Sequence, residues 1–180
     1  MRIHLLGPSG SGTSTLGKKI AEILNIPWFD SDDLFWIKTN PPFSIIRDRE
    51  ERIKLLQEIL ENNKSWVISG SILKWGDFLR DSFDLVIYKY VEKEVRLERL
   101  IKREKIKYGT RIDVGKDMYE THSKFIKWAM DYDDGDIKMR SKISETEWIK
   151  EIKCPVLKLE KNECIENEIK YVMEEIKKIS

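Results

Sequence analysis

Gly7, Gly10 and Gly12 recur through the stretch GPSGSGTST, residues 7 to 15, and Ser14 follows directly on its Thr13. Glycines at this spacing let successive backbone N–H groups turn inward around an anion, and a helix starting just afterwards points its positive end at the same place. The pattern is the phosphate-cradling G-x-x-x-x-G-K-[ST] with one departure: Thr13 stands where such a loop carries lysine. Gly7, Pro8, Ser9, Gly10, Ser11, Gly12, Thr13, Ser14 and Thr15 are therefore candidates for holding nucleotide phosphates, and Ser14 for offering its hydroxyl to Mg²⁺. A threonine hydroxyl can donate one hydrogen bond to a phosphate oxygen but brings no charge, so a cation must come from elsewhere. A plain glycine-rich turn capped by Ser11 or Thr13 would have the same composition; the apolar strand before it and the helix after it favour the phosphate site.

Lys18 and Lys19 are poor sources of that charge, because five helical residues carry them about 7.5 Å down the axis and away from the loop. The arginines Arg96, Arg99 and Arg103 recur at helical spacing in EKEVRLERLIKRE, with Arg111 just beyond and Arg140 further on. They read as phosphate clamps or, with Glu92, Glu94, Glu98 and Glu104, as a solvated helix face. FDSDD, residues 29 to 33, ends a short strand, where ligands gather in open parallel sheets; Asp30 and Asp32 are candidates there, and a helix cap is the alternative. Gly70, in ISGSILKWGDFLRD, allows close backbone approach to a substrate. Trp36, Phe43 and Trp75 sit in turn-rich sequence beside Pro41, Pro42 and Gly76 and are candidate walls of an acceptor pocket, whereas Trp28 and Phe29 suit the core. His4, inside the first strand, reads as a hydrogen-bonded core histidine, and neither it nor His122 is assigned to catalysis.

The elements that must position these groups alternate. RIHLL is a buried strand and TSTLGKKIAEIL a helix; IPWFD is a second strand and FSIIRDREERIKLLQEILENN a long amphipathic helix with Ile46, Ile53, Leu56 and Leu60 on one side. SWVIS, DLVIYKY and CPVLKL are further strands, the second leading into the charged helix and the last into a closing helix, CIENEIKYVMEEIKKI. Such alternation implies a parallel sheet with helices on both faces and right-handed crossovers. Residues 105–150 mix glycine breaks, basic residues and short helical pieces and read as an insertion, not a second domain.

A chain of 180 residues is most simply one domain, large enough to remove roughly 70% of its unfolded surface from water. Its 33 Lys plus Arg against 32 Asp plus Glu give a net charge of +1 and no global field toward nucleic acid or lipid. No basic stripe with interleaved aromatics supports direct nucleic-acid binding. Cys154 and Cys164 fit neither a metal knuckle nor a disulfide framework and read as reduced and structural. With no membrane span or signal peptide, the expected location is cytoplasmic.

Taken together, residues 7 to 15, 29 to 33 and 69 to 75 resemble the small P-loop kinases, the adenylate kinase-like group that includes shikimate, gluconate and archaeal-type cytidylate kinases. The last of these also carry threonine in their loops, so the resemblance implies that Thr13 is compatible with transfer. It further implies an α/β three-layer P-loop fold with a parallel five-stranded sheet in the order 2-3-1-4-5. The lid would span about 105–150 and the acceptor-binding region about 30–63. Carried over, Asp30 helps hold Mg²⁺ and Asp32 contacts the acceptor hydroxyl, while lid arginines among Arg99, Arg103, Arg111 and Arg140 cover the transferred phosphate. The implied activity moves the γ-phosphoryl of ATP, with Mg²⁺, to a small-molecule acceptor lined by Asp32, Trp36, Gly70 and Trp75, in a monomer or homodimer. The absence of an arginine beside Gly70 departs from adenylate kinases and weakens a nucleoside monophosphate as acceptor. Two alternatives remain: a true nucleoside monophosphate kinase, and a nucleotide-binding regulator without transfer, since DDLFW and SGSILKWGD also resemble DNA topology modulation proteins.

Overall fold

The computed structural model describes residues 1–40 and 42–179; Pro41 lies outside the described residues. The chain runs β1 (Arg2–Leu6), α1 (Thr13–Leu24), β2 (Trp28–Asp30), α2 (Ser31–Phe35), α3 (Arg49–Asn62), β3 (Trp66–Ser69), β4 (Leu85–Lys89), α4 (Lys93–Tyr108), α5 (Tyr119–Met130), α6 (Lys142–Lys150), β5 (Val156–Leu159) and α7 (Ile165–Ile179). Short 3₁₀ turns occupy Asp77–Ser82 and Gly109–Ile112. All pairings in the five-stranded sheet are parallel, and the order is β2-β3-β1-β4-β5, the order expected from sequence.

The three inner strands are continuous apolar runs because helices cover both faces of the sheet. On one face Ile3, Leu5, Val67, Leu85 and Ile87 meet Leu16 and Ile20 of α1 and Val172 and Ile176 of α7. On the other, Leu6, Ile68, Val86 and Tyr88 meet Leu56 of α3 and Trp148 and Ile149 of α6. The register sets Asp30 opposite Ser69, Leu5 opposite Ser69, and Leu6 opposite Tyr88, so the carboxyl ends of β2, β3, β1 and β4 open side by side at one edge. Every group assigned to chemistry from the sequence, except Arg96, Arg111 and Trp75, gathers there.

Two expectations are corrected. The long helix was expected from Phe43, but α3 starts only at Arg49, because Asp48 caps it by accepting from the Glu50 N–H at 2.8 Å. Upstream, Phe43 turns through φ 59°, and Ile46, expected on the helix's apolar side, instead pairs with Trp36 in an antiparallel bridge and is exposed. The stretch 105–150 contains two helices, and its final part belongs to the body of the molecule: a reciprocal capping box between Ser141 and Ser144 starts α6, which sends Trp148 into the core. Among the described residues, no helix is long and apolar enough to cross a membrane.

Candidate active site

The loop between β1 and α1 is built on left-handed backbone, with Gly7, Gly10 and Gly12 at φ 149°, 85° and 95°. Gly12 caps α1 without any side-chain hydrogen bond, and the first turn contains no acidic residue. The helix therefore presents its unpaired N–H groups and positive end to the cleft. Ser11 Oγ is buried in the loop and has no hydrogen-bond partner among the described residues. Ser69, at the end of β3, fixes the start of α1: its hydroxyl accepts from Trp28 Nε1 at 3.0 Å and donates to the carbonyl of Thr13 at 3.2 Å.

Asp30 divides its carboxylate. Oδ1 accepts from the Asp32 N–H at 3.0 Å and so caps α2, while Oδ2 accepts from Ser14 Oγ at 3.0 Å. The cap and the metal-site reading of FDSDD thus use different oxygens of one residue. A hydroxyl and a carboxylate joined this way at a phosphate loop are the hard oxygen donors that Mg²⁺ takes alongside phosphate oxygens. Asp32 opens to the cleft two residues further on. The protein around it pushes its pKa up, the Asp30 carboxylate adds to that, and Arg140 and Arg103 pull it partly back.

Arg140 comes from the turn before α6 and reaches the loop: Nη2 donates to the carbonyl of Gly7 at 2.5 Å, and Nε to Glu145 at 3.0 Å. Burial opposes its charge most, but the ion pair and hydrogen bond to Glu145, with Asp32 and Tyr132 adding to them, keep the guanidinium above its usual pKa. Glu145 is fully buried and also accepts from Tyr132 Oη at 2.7 Å, which lies 3.1 Å from Tyr88 Oη. This chain locks the arginine's direction from beneath. Arg99 approaches the carbonyl of Gly10 at 3.5 Å and donates to Asn162 at 2.8 Å. Arg103 lies over the Phe125 ring, 5.9 Å from its centroid.

Pro8 to Thr15, Asp30, Asp32, Trp36, Gly70, Arg99, Arg103 and Arg140 line one cleft of about 1110 Å³. A single small-ligand pocket usually holds roughly 300–1,000 Å³, so this cleft lies just above the upper end of that range. Away from the loop its walls are aromatic: Trp36 packs edge-on to Phe43 at 5.9 Å, and Phe125 stacks with Trp128 at 6.2 Å. Three candidate site residues are not brought there. Arg111 is exposed and pairs with Asp117 at 2.5 Å, away from the cleft. Trp75 is only 4% exposed and packs in the core, because the turn from Ile72 to Gly76 folds it inward. Arg96, noted with the other arginines, is fully buried and holds the carbonyls of Val91 and Ala129 and the carboxylate of Asp133, a staple between α4 and the end of α5. His4 is the core histidine expected: Nε2 donates to the Gly70 carbonyl at 2.8 Å, and burial lowers its pKa to about 4. Cys164, read as structural, is exposed at the cleft rim; both cysteines are free.

Sequence reasoning missed Lys89 and Glu145, both buried at the site. Lys89 left a signal, since it is a charge ending an otherwise apolar strand. Glu145 left none, because its role depends on a partner five residues back and on α6 entering the core.

A family model described as an AAA domain matches residues 3–122. The chain is 39% identical over 166 residues to "Uncharacterized protein YqaC" of Bacillus subtilis (strain 168), covering 92% of this chain and 91% of that one. It is 28% identical over 120 residues to a cytidylate kinase of Archaeoglobus fulgidus, a match spanning 58% of this chain and 62% of the relative. Among solved structures, the shikimate kinase from Acinetobacter baumannii in complex with shikimate superposes with a TM-score of 0.56 at 17% identity, covering 97% of this chain and 92% of that one.

Proposed function

The chain belongs to the AAA-domain family; from that premise we propose that it is a P-loop small-molecule kinase, transferring the γ-phosphoryl group of ATP to a hydroxyl of a small acceptor. The observation that carries this reading is the Ser14–Asp30 hydrogen bond, which joins the phosphate loop to the carboxylate pair at the end of β2. A loop that bound phosphate alone would not need that pair.

In this mechanism the free backbone N–H groups of the loop and of the first turn of α1 hold the donor's phosphates. Ser14 Oγ and Asp30 Oδ2 are the residues that would hold Mg²⁺, which when bound neutralises charge on the phosphate oxygens. Asp32 orients the acceptor hydroxyl and takes its proton; its raised pKa brings the carboxylate closer to the working pH of a general base. A bond forms from the acceptor oxygen to phosphorus as the bond to the ADP oxygen breaks. Arg140, aimed by Glu145, and Arg99 and Arg103 from α4 face the region where negative charge develops. The segment from Gly109 to Ser141 acts as the lid over it.

The acceptor half is more aromatic than a polyol needs. Phe35, Trp36, Phe43, Phe125 and Trp128, with Arg103 and Lys124 among them, favour an acceptor carrying a flat ring and an anionic or hydroxylated edge. A nucleoside or nucleoside monophosphate fits that description and is the second reading. Coupled ADP release measured against nucleosides, nucleoside monophosphates, sugar acids and shikimate, with calorimetry for MgATP, tests both. Transfer to one panel member supports the kinase; ATP binding with no transfer to any acceptor favours the regulatory alternative; no ATP binding sinks the proposal.

A further inference from the structure

Lys89 closes β4, a strand buried at all five positions, and its side chain runs beneath the phosphate loop. Its Cε lies 3.3 Å from where a Cβ on Gly12 would stand, and its carbonyl oxygen lies against Gly7. The ammonium pairs with Glu168 in the first turn of α7, and each side chain is only 5% exposed. Both residues line the cleft.

A buried ion pair is a poor device for stability, since apolar residues of similar volume usually serve as well or better. Its place against Gly12, the residue before the missing lysine, calls for another reason. Among the described residues, Glu168 is the one hydrogen-bond partner of an ammonium that has three N–H donors. A phosphate seated in the loop would offer that ammonium a second acceptor. Arg140 and Arg99 approach the loop through the carbonyls of Gly7 and Gly10, whereas the Lys89 side chain lies against Gly12 at the start of α1.

We propose that Lys89 supplies, from β4, the positive charge that Thr13 does not bring to the nucleotide's phosphates, and that Glu168 keeps the lysine aimed and charge-balanced while the loop is empty. This rests on the reading that the loop binds nucleotide. In the loop's usual arrangement the lysine is tied in sequence to the helix start; here the same charge would be tied through sheet register, β4 beside β1, and through packing against α7.

The test uses the full chain with MgATP and adenosine, the first by calorimetry and the second by competition against a fluorescent adenine nucleotide. Lys89→Met alone strands a buried carboxylate, so the decisive variant is Lys89→Met/Glu168→Leu, which replaces the pair by apolar groups, with thermal melting checking that it folds. The expected result is a ten- to hundredfold weaker MgATP affinity with adenosine affinity unchanged within twofold, because only the phosphates lose a partner. Glu168→Gln, which leaves the ammonium but removes its competitor, should bind MgATP at least as tightly as the unaltered chain. The assignment is overturned if the ATP-to-adenosine affinity ratio of the folded double variant equals that of the unaltered chain, or if Glu168→Gln loses ATP as severely as the double variant. Failure of the unaltered chain to bind ATP overturns the nucleotide reading itself and this assignment with it, whereas normal ATP binding with an unchanged ratio overturns Lys89 alone.

Discussion

Replacing Gly70 by alanine should separate the acceptor side of the site from its phosphate side. Gly70 holds φ 98°, and a Cβ there would stand 2.1 Å from Ser31 Oγ, where ordinary contact begins at 3.4 Å. Left-handed backbone costs an alanine roughly 1–2 kcal/mol. Relief of the contact requires Ser31 to retreat by about 1 Å, a displacement of the order that can cost 10²-fold in rate when it moves a catalytic group. Ser31 is buried and directly precedes Asp32 in α2, so the Asp32 carboxylate moves with it, while Asp30 stays tied through Oδ2 to Ser14. Gly70→Ala should therefore lower the melting temperature by several degrees and depress transfer about 10²-fold. MgATP affinity should change little, because none of the three atoms nearest the new methyl group belongs to the loop residues 7 to 15. The comparison needs thermal melting, calorimetry with MgATP, and coupled ADP release with the acceptor that the panel identifies. The double variant Gly70→Ala/Ser31→Gly removes the obstructing side chain and should recover most of the lost transfer while retaining the backbone strain. If Gly70→Ala melts early yet transfers at the normal rate, or if the double variant recovers nothing, the Asp32 carboxylate is not the group that positions the acceptor.

Asp30→Asn should weaken MgATP binding more than ATP binding without the metal, whereas Asp32→Asn should leave both nearly intact and depress transfer by about 10²–10⁴-fold; affinities with and without Mg²⁺, plus turnover, distinguish them. Arg140→Lys should reduce transfer tenfold or more, since one ammonium cannot reproduce the fork that serves both Glu145 and the Gly7 carbonyl, while Arg111→Ala should leave transfer within twofold of normal. His4 should make the fold acid-sensitive: its pKa falls from 6.5 to about 4 on folding, so the stabilisation it contributes is complete above pH 6.5 and is lost as pH falls toward 4. The full effect is about 3 kcal/mol, and urea unfolding at pH 7.5 and 4.5 should show a loss in the unaltered chain that His4→Gln reduces by about 2–3 kcal/mol; equal losses in both would remove His4 as the cause.

The parts of this protein legible in its sequence are those set by local chemistry. The loop at residues 7 to 15 declares itself because its glycines must turn through left-handed backbone wherever the chain goes next, and the start and end of α1 follow from the same short-range rules. The strands were readable because a sheet covered on both faces demands unbroken apolar runs, and their alternation with helices implied that they lie parallel, while their order came only from the resemblance to the small P-loop kinases. Where short-range signals competed, the reading failed: the helical periodicity through Ile46 yielded to the cap at Asp48, which no periodicity measures. Trp75 went astray for a different reason, since an aromatic beside a turn faces pocket or core according to how that turn folds, and the neighbours of Ile72 decide that. Arg140, Glu145, Lys89 and Glu168 lie far apart along the chain, and their sequence neighbours give them no shared pattern. They meet because β4 lies beside β1, α6 packs on one face of the sheet and α7 on the other, bringing separated charges within hydrogen-bond reach of one another around the phosphate loop. Sequence chemistry could establish that Thr13 leaves a cation wanting; only long-range packing could determine which buried cation stands closest to the gap.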